Sequence, residues 1–219
     1  MHIPTNPRPL RQRFVERLGR CATGLAFFGI GIACFVKGRL GVAPWDVFHQ
    51  GISERSDLDL GTVIIIVGLL LLVLWIPLRQ RPGIGTIMNA VEIGIAENIA
   101  QHYLPETDHL VLRVAYVAFG MLAIAIGSGL YIGAELGTGP RDGLMVGLNQ
   151  RFGISVRLAR TTVEIIVLVA GVALGGHIGI GTFVFALGIG PLVQATLGWF
   201  RMSPSTSAAP ELQGSSGQR

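Results

Sequence analysis

Two acidic residues stand inside stretches of sequence that are otherwise apolar. Glu92 lies in the apolar run 84–103, and Glu164 lies in the run 156–175. Ionisable groups inside a membrane are costly, usually face the protein interior and commonly bind protons or ions. Arg160 precedes Glu164 by one helical turn, so these two residues can share a helix face. We interpret Glu92 as a candidate for proton or cation coupling, and Glu164 with Arg160 as charge compensation or a structural ion pair.

A motif of the form Leu-Gly-x-x-Pro-x-Asp occurs at 40–46 and again at 136–142. Its glycine permits a sharp turn, its proline suits the first turn of a helix, and its aspartate brings a carboxylate to the positive end of the helix dipole. We therefore expect each motif to start a short helix that the aspartate caps. The residues predicted to line a substrate path are Asp46, Asp142 and Arg141, on a framework set by Gly41, Pro44, Gly137 and Pro140.

The short helices are expected within 44–55 and 140–151, with Gly51 and Gly147 at their ends. Such helices are too short to cross the roughly 30 Å hydrocarbon core of a bilayer. They either lie in the interface, where they only fix topology, or re-enter the helix bundle. Irregular backbone at membrane depth survives only when it is buried in protein or lines a wet cavity. Paired broken helices of this second kind mark central substrate sites in secondary transporters.

A second motif, Gly-Ile-Gly-Thr, begins two apolar runs at residues 83–86 and 179–182. Small residues let helix backbones approach closely, and free N–H groups at a glycine-rich helix start also bind anions. We favour close packing, because no lysine follows the motif as it does in a phosphate-binding loop. The positions concerned are Gly83, Gly85, Thr86, Gly179, Gly181 and Thr182.

Both motifs recur at one offset, since residues 40 and 136, like residues 83 and 179, are 96 positions apart. Half of the residues are hydrophobic and only 14% are charged, whereas soluble domains carry about 25% charge. The mean hydropathy is +0.58. The sequence therefore predicts an all-α polytopic membrane protein of about six transmembrane helices. They form two inverted three-helix repeats, each with a short Gly/Pro-initiated helix.

The apolar runs also predict the organisation of the chain. A basic cytoplasmic segment, 1–19, precedes repeat 1 at 20–107, and repeat 2 at 108–202 is followed by a disordered cytoplasmic tail at 203–219. A membrane crossing needs about 20 residues, and runs near that length are expected to span the membrane at 20–38, 60–78, 84–103, 112–134, 156–175 and 180–200.

The basic residues predict the orientation, because cytoplasmic loops retain Lys and Arg. A cytoplasmic N-terminus places all but four of the 17 Lys and Arg residues inside. The four exceptions are Lys37, Arg39, Arg55 and Arg113. Both termini are therefore expected in the cytoplasm. Trp45 and Arg141, which are equivalent in the repeat, are interpreted as an outer interfacial aromatic and an inner positive charge.

Several classes of function lack the residues they need. His102, Glu106, Asp108 and His109 cluster in one loop, but their spacing around a proline is poor for a metal site, and we expect no metal and no cofactor. Neither a Ser-His-Asp set nor a His-Glu-x-x-His or Cys-x-x-Cys motif is present, so we expect no enzyme activity. The arginines flank apolar segments instead of forming one polar face, so nucleic acid is not an expected partner.

The chain resembles the YczE/YyaS/YitT family of bacterial integral membrane proteins, and the YczE branch above all. The resemblance covers roughly residues 15–200. It implies a multi-pass protein of the bacterial inner membrane with five or six spans, and it implies no substrate, mechanism or site residue. The residues that carry it are 40–46, 136–144, Arg160 with Glu164, and 175–182.

Two functions remain as hypotheses. The first is a small inverted-repeat transporter or permease of unknown substrate, with protons or cations as coupling ions. The second is a membrane scaffold or regulator that does not transport and acts through a partner. The expected partners are the lipid bilayer, an unidentified small molecule or ion, and a second copy of the chain in a homodimer.

Overall fold

The computed structural model describes residues 13–200. Within that range the chain forms eight α-helices and no β-strand, so the predicted all-α class is confirmed. The helices are α1 (Phe14–Gly38), α2 (Pro44–Ser56), α3 (Leu60–Trp75), α4 (Ile84–Tyr103), α5 (Leu110–Gly133), α6 (Pro140–Phe152), α7 (Val156–Ala173) and α8 (Ile180–Phe200).

The helix boundaries follow the offset seen in the sequence. Helices α1 to α4 begin at residues 14, 44, 60 and 84, and α5 to α8 begin at 110, 140, 156 and 180, each 96 positions later. The short helices α2 and α6 have the same length of 13 residues. The two halves therefore build the same succession of secondary structure from different sequences.

Three helices, α1, α5 and α8, are long and apolar enough to cross a membrane. Helices α2 and α3 together form a fourth apolar unit, which is bent by 114° at the break between them. The six predicted spans are thus confirmed only in part. Helix α3 alone has 16 residues, or about 24 Å at 1.5 Å per residue. Helix α4 carries Glu92 and Glu97, and α7 carries Arg160 and Glu164, which lower their hydropathy.

The core forms where α1 and α5 pack antiparallel along glycine-lined faces. A Cβ atom on Gly24 would lie 2.6 Å from the Gly127 carbonyl oxygen, and one on Gly31 would lie 2.8 Å from that of Gly120. Helix α4 packs on α1, and α8 packs on α5. Helix α2 lies against α7, and α6 lies against α3. These glycines are therefore needed for close approach of the two helices on which the others assemble.

Two arginines at equivalent positions form hydrogen bonds between the two halves at the ends of α1 and α5. Arg17 donates from Nε and Nη2 to the carbonyls of residues 134 and 135, over 2.7 and 2.6 Å. Arg113 donates in the same way to the carbonyls of residues 38 and 39. Carbonyls at a helix C-terminus lack intrahelical partners. Each arginine thus satisfies the carbonyls that end the first helix of the other half.

The bundle has two ends, which we call the first end, where α1, α4 and α7 finish, and the second end, where they begin. At the first end, Arg55 of α2 donates to the carbonyl of Leu174, just after α7. At the second end, Arg20 of α1 lies 3.5 Å from the carbonyl oxygen of Phe200. The described chain therefore starts and finishes at the same end.

Helix α1 begins at Phe14, so it extends from the predicted basic segment into the first predicted span. The predicted ends of the two short helices were wrong. Gly51 and Gly147 do not end the short helices, which continue to Ser56 and Phe152. These glycines instead allow close packing, since a Cβ on Gly51 would lie 2.7 Å from the carbonyl oxygen of Gly171 in α7. The predicted tail at 203–219, and residues 1–12 of the basic segment, lie outside the described residues.

Candidate functional site

The two repeated motifs bind each other across the halves. Gly41 and Gly137 adopt φ angles of +105° and +137°, which favour glycine. The Gly181 N–H donates to the Leu40 carbonyl over 2.7 Å, and the Gly85 N–H donates to the Leu136 carbonyl over 3.0 Å. Each Leu-Gly turn is thus held by the Gly-Ile-Gly-Thr segment of the opposite half.

Local hydrogen bonds complete this arrangement at the start of α4 and of α8. Thr86 Oγ1 accepts from the Gly83 N–H over 3.1 Å, and Thr182 Oγ1 accepts from the Gly179 N–H over 3.3 Å. The N–H groups that an anion would need are therefore partly used within the protein. This geometry fits the packing interpretation of the motif.

Helix α6 starts inside the bundle. The Gly139 N–H donates to the Tyr131 hydroxyl over 2.7 Å, and the Pro140 carbonyl accepts from Trp75 Nε1 over 3.0 Å. A Cβ on Gly139 would lie 3.5 Å from the Asn89 amide. Because Asn89 is five residues into α4, the start of α6 lies about 8 Å inside the second end.

The starts of α2 and α6 meet in a group of residues that we call the central cluster: Trp45, Asp46, His49, Arg141 and Asp142. Arg141 Nη2 lies 3.9 Å from Asp46 Oδ1. The Arg141 guanidinium carbon lies 4.7 Å from the centre of the Trp45 ring, within cation–π range. The cluster joins the first turns of two helices whose sequences are 96 positions apart.

Asp46 and His49 form the buried part of the cluster. Their side chains lie 3.2 Å apart between Oδ1 and Nδ1, and their exposed fractions are 3% and 1%. His49 Nε2 is buried and has no hydrogen-bond partner among the described residues. Asp46 lies in the first turn of α2 as expected, but its carboxylate contacts His49 and Arg141. The predicted capping role is therefore replaced by a buried charge contact.

Asp142 is the member of the central cluster that lies at the surface of the bundle. Its side chain is exposed, and Arg141 beside it is half-buried. Arg160 and Glu164 of α7 form an ion pair of 3.0 Å. The Glu164 charge acts on Arg141 and Asp142, and the Arg160 charge acts on Asp142. The three residues predicted to line a path, Asp46, Arg141 and Asp142, thus lie together at the two helix starts.

Glu92 is the predicted residue that the fold leaves apart. It is half-buried on α4, where its charge acts on Cys21 of α1. The acid that α4 buries completely is Glu97, which has an exposed fraction of 0%. Glu97 Oε1 accepts from Gln101 Nε2 over 3.1 Å, while Oε2 has no partner in the described part of the chain.

The structure corrects the interpretation of Trp45 and Arg141 as residues of opposite membrane surfaces. Their side chains touch, so they lie together inside the bundle. Sequence reasoning did not single out His49. The spacing of Asp46 and His49, three residues apart on a helix, was the signal for their contact. The spacing of Glu97 and Gln101, four residues apart, was the corresponding signal for Glu97.

The central cluster combines a fixed positive charge, a buried acid–imidazole pair and an exposed acid. Both helix starts direct the positive ends of their dipoles towards it. Such a set can hold a polar solute or move a proton, since imidazole and carboxylate exchange protons readily. Among residues 13–200, no group of three or more His, Cys, Asp or Glu side chains is placed to hold a metal ion.

Comparison with known families gives a match over almost the whole described chain. Residues 15–197 match the model of a family described as "Family of unknown function (DUF6198)". The chain belongs to this family. No activity is attached to the family by that description.

Two relatives of the chain, YczE and YyaS, agree with the resemblance noted from the motifs. The chain is 31% identical over 190 residues to the uncharacterized membrane protein YczE of Bacillus subtilis, covering 86% of this chain and 88% of YczE. It is 38% identical over 170 residues to an uncharacterized protein of Haemophilus influenzae, covering 78% of each chain. It is 24% identical over 163 residues to YyaS of Bacillus subtilis, covering 73% and 81%. No solved structure matches.

Proposed function

We propose that this protein is a small membrane transporter or permease whose substrate path runs through the central cluster. The observation that carries the proposal is the meeting of the α2 and α6 starts inside the bundle, with Arg141 against Trp45 and Asp46. In secondary transporters, broken helices direct their N-terminal ends at a substrate site near the membrane midplane. The meeting of the two short helix starts supports a comparable arrangement here.

The proposed architecture is a pair of inverted repeats. The bond from Gly85 to Leu136 and the bond from Gly181 to Leu40 join equivalent positions of the two halves. Each bond would superpose on the other if the two halves were exchanged. The bonds of Arg17 and Arg113 are related in the same way. Paired contacts of this kind follow from a two-fold relation between halves, and because the equivalent helices α1 and α5 pack antiparallel, the axis would lie in the membrane plane and invert one half against the other.

In this proposal α2 and α6 are re-entrant. Each begins in the interior and ends at a different end of the bundle, α2 beside Leu174 and α6 beside Gln80, whose side chain bonds Gln150. The proposed location is the bacterial inner membrane, with the second end and both chain termini in the cytoplasm. Arg141 lies inside the bundle and is therefore not counted as a cytoplasmic residue. Even without it, the cytoplasmic side carries many more Lys and Arg residues than the outer side.

A thiol-accessibility experiment tests whether water reaches the cluster. The buried native cysteines, Cys21 and Cys34, are replaced by alanine, and Asp142→Cys is introduced into that background. A small charged thiol reagent that cannot cross lipid should label this variant in sealed vesicles. Leu187→Cys is the matched control, since Leu187 is 80% exposed on the apolar helix α8 and should face lipid, where the reagent does not reach.

Transport itself is tested in proteoliposomes on a solid-supported membrane, by recording currents after jumps of pH, inorganic ions and small polar solutes. A signal that the wild type gives and folded Arg141→Gln lacks supports the path. The proposal is contradicted if Asp142→Cys stays unlabelled from both sides. It is equally contradicted if Arg141→Gln carries every current that the wild type carries.

The scaffold hypothesis is kept because of one asymmetry between the halves. Helix α3 packs along α4, but within residues 13–200 their equivalents α7 and α8 do not pack along each other to a comparable extent. Apolar side chains on both helices are exposed, among them Val169 of α7 and Phe183 of α8. A second copy or another membrane protein would cover them. This alternative is favoured if labelling fails and the purified protein is found bound to a stoichiometric helical partner.

A further inference from the structure

A polar cavity opens at the first end, between the turn that joins α2 to α3 and the last turn of α4. Its volume is about 270 Å³, and its walls include Ser53, Glu54, Asp57, Asp59 and Gln101. Three of these side chains are acidic. A cavity of this composition holds water and attracts cations, including protons.

The inner wall of the cavity leads to Glu97. Gln101 lines the cavity, and its amide donates to Glu97 Oε1 over 3.1 Å. The other carboxyl oxygen of Glu97 is buried without a partner among the described residues. A buried carboxylate with one oxygen left unpartnered is costly, whereas the protonated acid is much less so. The geometry in this structure therefore favours a proton on Glu97.

Charged groups from each neighbouring element act on Glu97. These groups are Asp46 of α2, Asp59 before α3 and Lys37 of α1. The Lys37 ammonium lies 3.3 Å from Glu106 Oε1, so its positive charge is partly neutralised by Glu106. Asp46 also contacts Arg141. A change in the contact between Arg141 and Asp46 would therefore alter the electrostatic potential at Glu97.

We propose that Glu97 is the proton-binding group of this protein, and that it exchanges its proton with the solution at the first end through the cavity beside Gln101. In the exchange, water takes the proton from the Glu97 O–H, and the carboxylate remains bound to the Gln101 amide. Asp46 links this step to the central cluster. Proton binding stands on the geometry around Glu97, while its use in transport rests on the function proposed above.

Labelling with dicyclohexylcarbodiimide tests the proton site, because this apolar reagent reacts with protonated carboxyls in apolar surroundings. The purified full-length protein is treated over a pH series, and labelled peptides are located by mass spectrometry. Label is expected at Glu97 and should fall as the pH is raised. Glu97→Gln should lose it. The matched control is Glu92→Gln on the same helix, which should keep the label at Glu97 with the same pH dependence.

Two further variants test the route and the role of the neighbour. Ser53→Trp fills the cavity and should slow labelling of Glu97 by a water-soluble carbodiimide several-fold while leaving the reaction with the apolar reagent unchanged. Gln101→Leu removes the donor that favours the carboxylate, so label at Glu97 should persist to higher pH than in the wild type. Folding of each variant is checked by gel filtration in detergent.

The outcomes separate this inference from the transporter proposal. Folded wild type that carries no label at Glu97 at any pH, or a label that does not change with pH, overturns the proton site whether or not the protein transports. A pH-dependent label at Glu97 in a protein that gives no current leaves the proton site in place and removes the transporter.

Discussion

Trp45 and Arg141 occupy equivalent positions in the two halves of the chain, and the Arg141 guanidinium lies 4.7 Å from the centre of the Trp45 ring. Two residues related by a repeat can touch each other only near the axis that relates the halves. In the proposed architecture this contact therefore marks the centre of the bundle. The two halves are equivalent in backbone there but different in chemistry, with an aromatic ring facing a cation.

The contact predicts a measurable coupling between these side chains. A double-mutant cycle of Trp45→Leu and Arg141→Gln should give a coupling energy of about 1 kcal/mol, since cation–π contacts contribute roughly 0.5–2 kcal/mol. The free energy of unfolding is measured by denaturant titration in mixed micelles. Trp45→Leu combined with Gln at the exposed Arg151 is the control, and it should be additive. Additivity of the first pair would contradict the contact.

The two capping arginines should differ in their importance. Arg17 is buried, with an exposed fraction of 2%, whereas Arg113 is half-buried. Arg17→Ala leaves the buried carbonyl of residue 134 without its donor, which costs about 1–3 kcal/mol, and it also removes the bond to the part-buried carbonyl of residue 135. Thermal unfolding in detergent should therefore show a larger loss for Arg17→Ala than for Arg113→Ala. Ala at the exposed Arg157 is the control, and an equal loss in all three would refute the capping role.

Close packing of α3 on α4 predicts a strong effect at one glycine. A Cβ on Gly61 would collide with the Gly94 carbonyl oxygen, so Gly61→Ala should destabilise the bundle by about 1–3 kcal/mol. Gly190→Ala is the matched control in α8, because open space surrounds Gly190 and alanine is the better helix former by about 1 kcal/mol. The melting temperature should fall in the first variant and stay level or rise in the second. The reverse order would be incompatible with this packing.

The contact between Arg20 and Phe200 predicts that both chain ends face the same compartment. Fusions of a fluorescent protein or of alkaline phosphatase after residue 200 and before residue 13 should both report the cytoplasm. Fusions after Tyr103, where α4 finishes at the first end, should report the opposite side. Reporters of opposite type at the two ends would reject the proposed topology.

Helix α4 illustrates what could and could not be predicted for the site. The sequence correctly places a helix at 84–103 and identifies acids within it, because apolar periodicity and helix-start residues are local properties. It does not decide which acid is buried. Glu92 and Glu97 are five residues apart, and so they point about 140° apart around the helix. With small and apolar residues on every side, only the neighbouring helices determine which direction is the interior.

Helices α2 and α6 give a second case. Their proline starts and aspartates could be predicted, since these follow from backbone preference at a helix N-terminus. Their ends could not, because Gly51 and Gly147 resemble helix terminators until α7 and the turn after α3 are seen to pack on them. In the same way, the loop around each residue suggested that Trp45 and Arg141 lie at opposite membrane surfaces. Only the packing of the two halves shows that they touch.

The sequence by itself determined the helical class, the apolar character and the repeat at 96 positions, because these depend on residue types and spacings along one segment. The tertiary structure decided which charges meet. Asp46 contacts Arg141 only because the turns at Gly41 and Gly137 direct the starts of α2 and α6 into the interior of the bundle. Burial there sets the energetic consequence of every polar group. Contacts between residues far apart in the chain, and the burial they create, are properties of the assembled bundle alone.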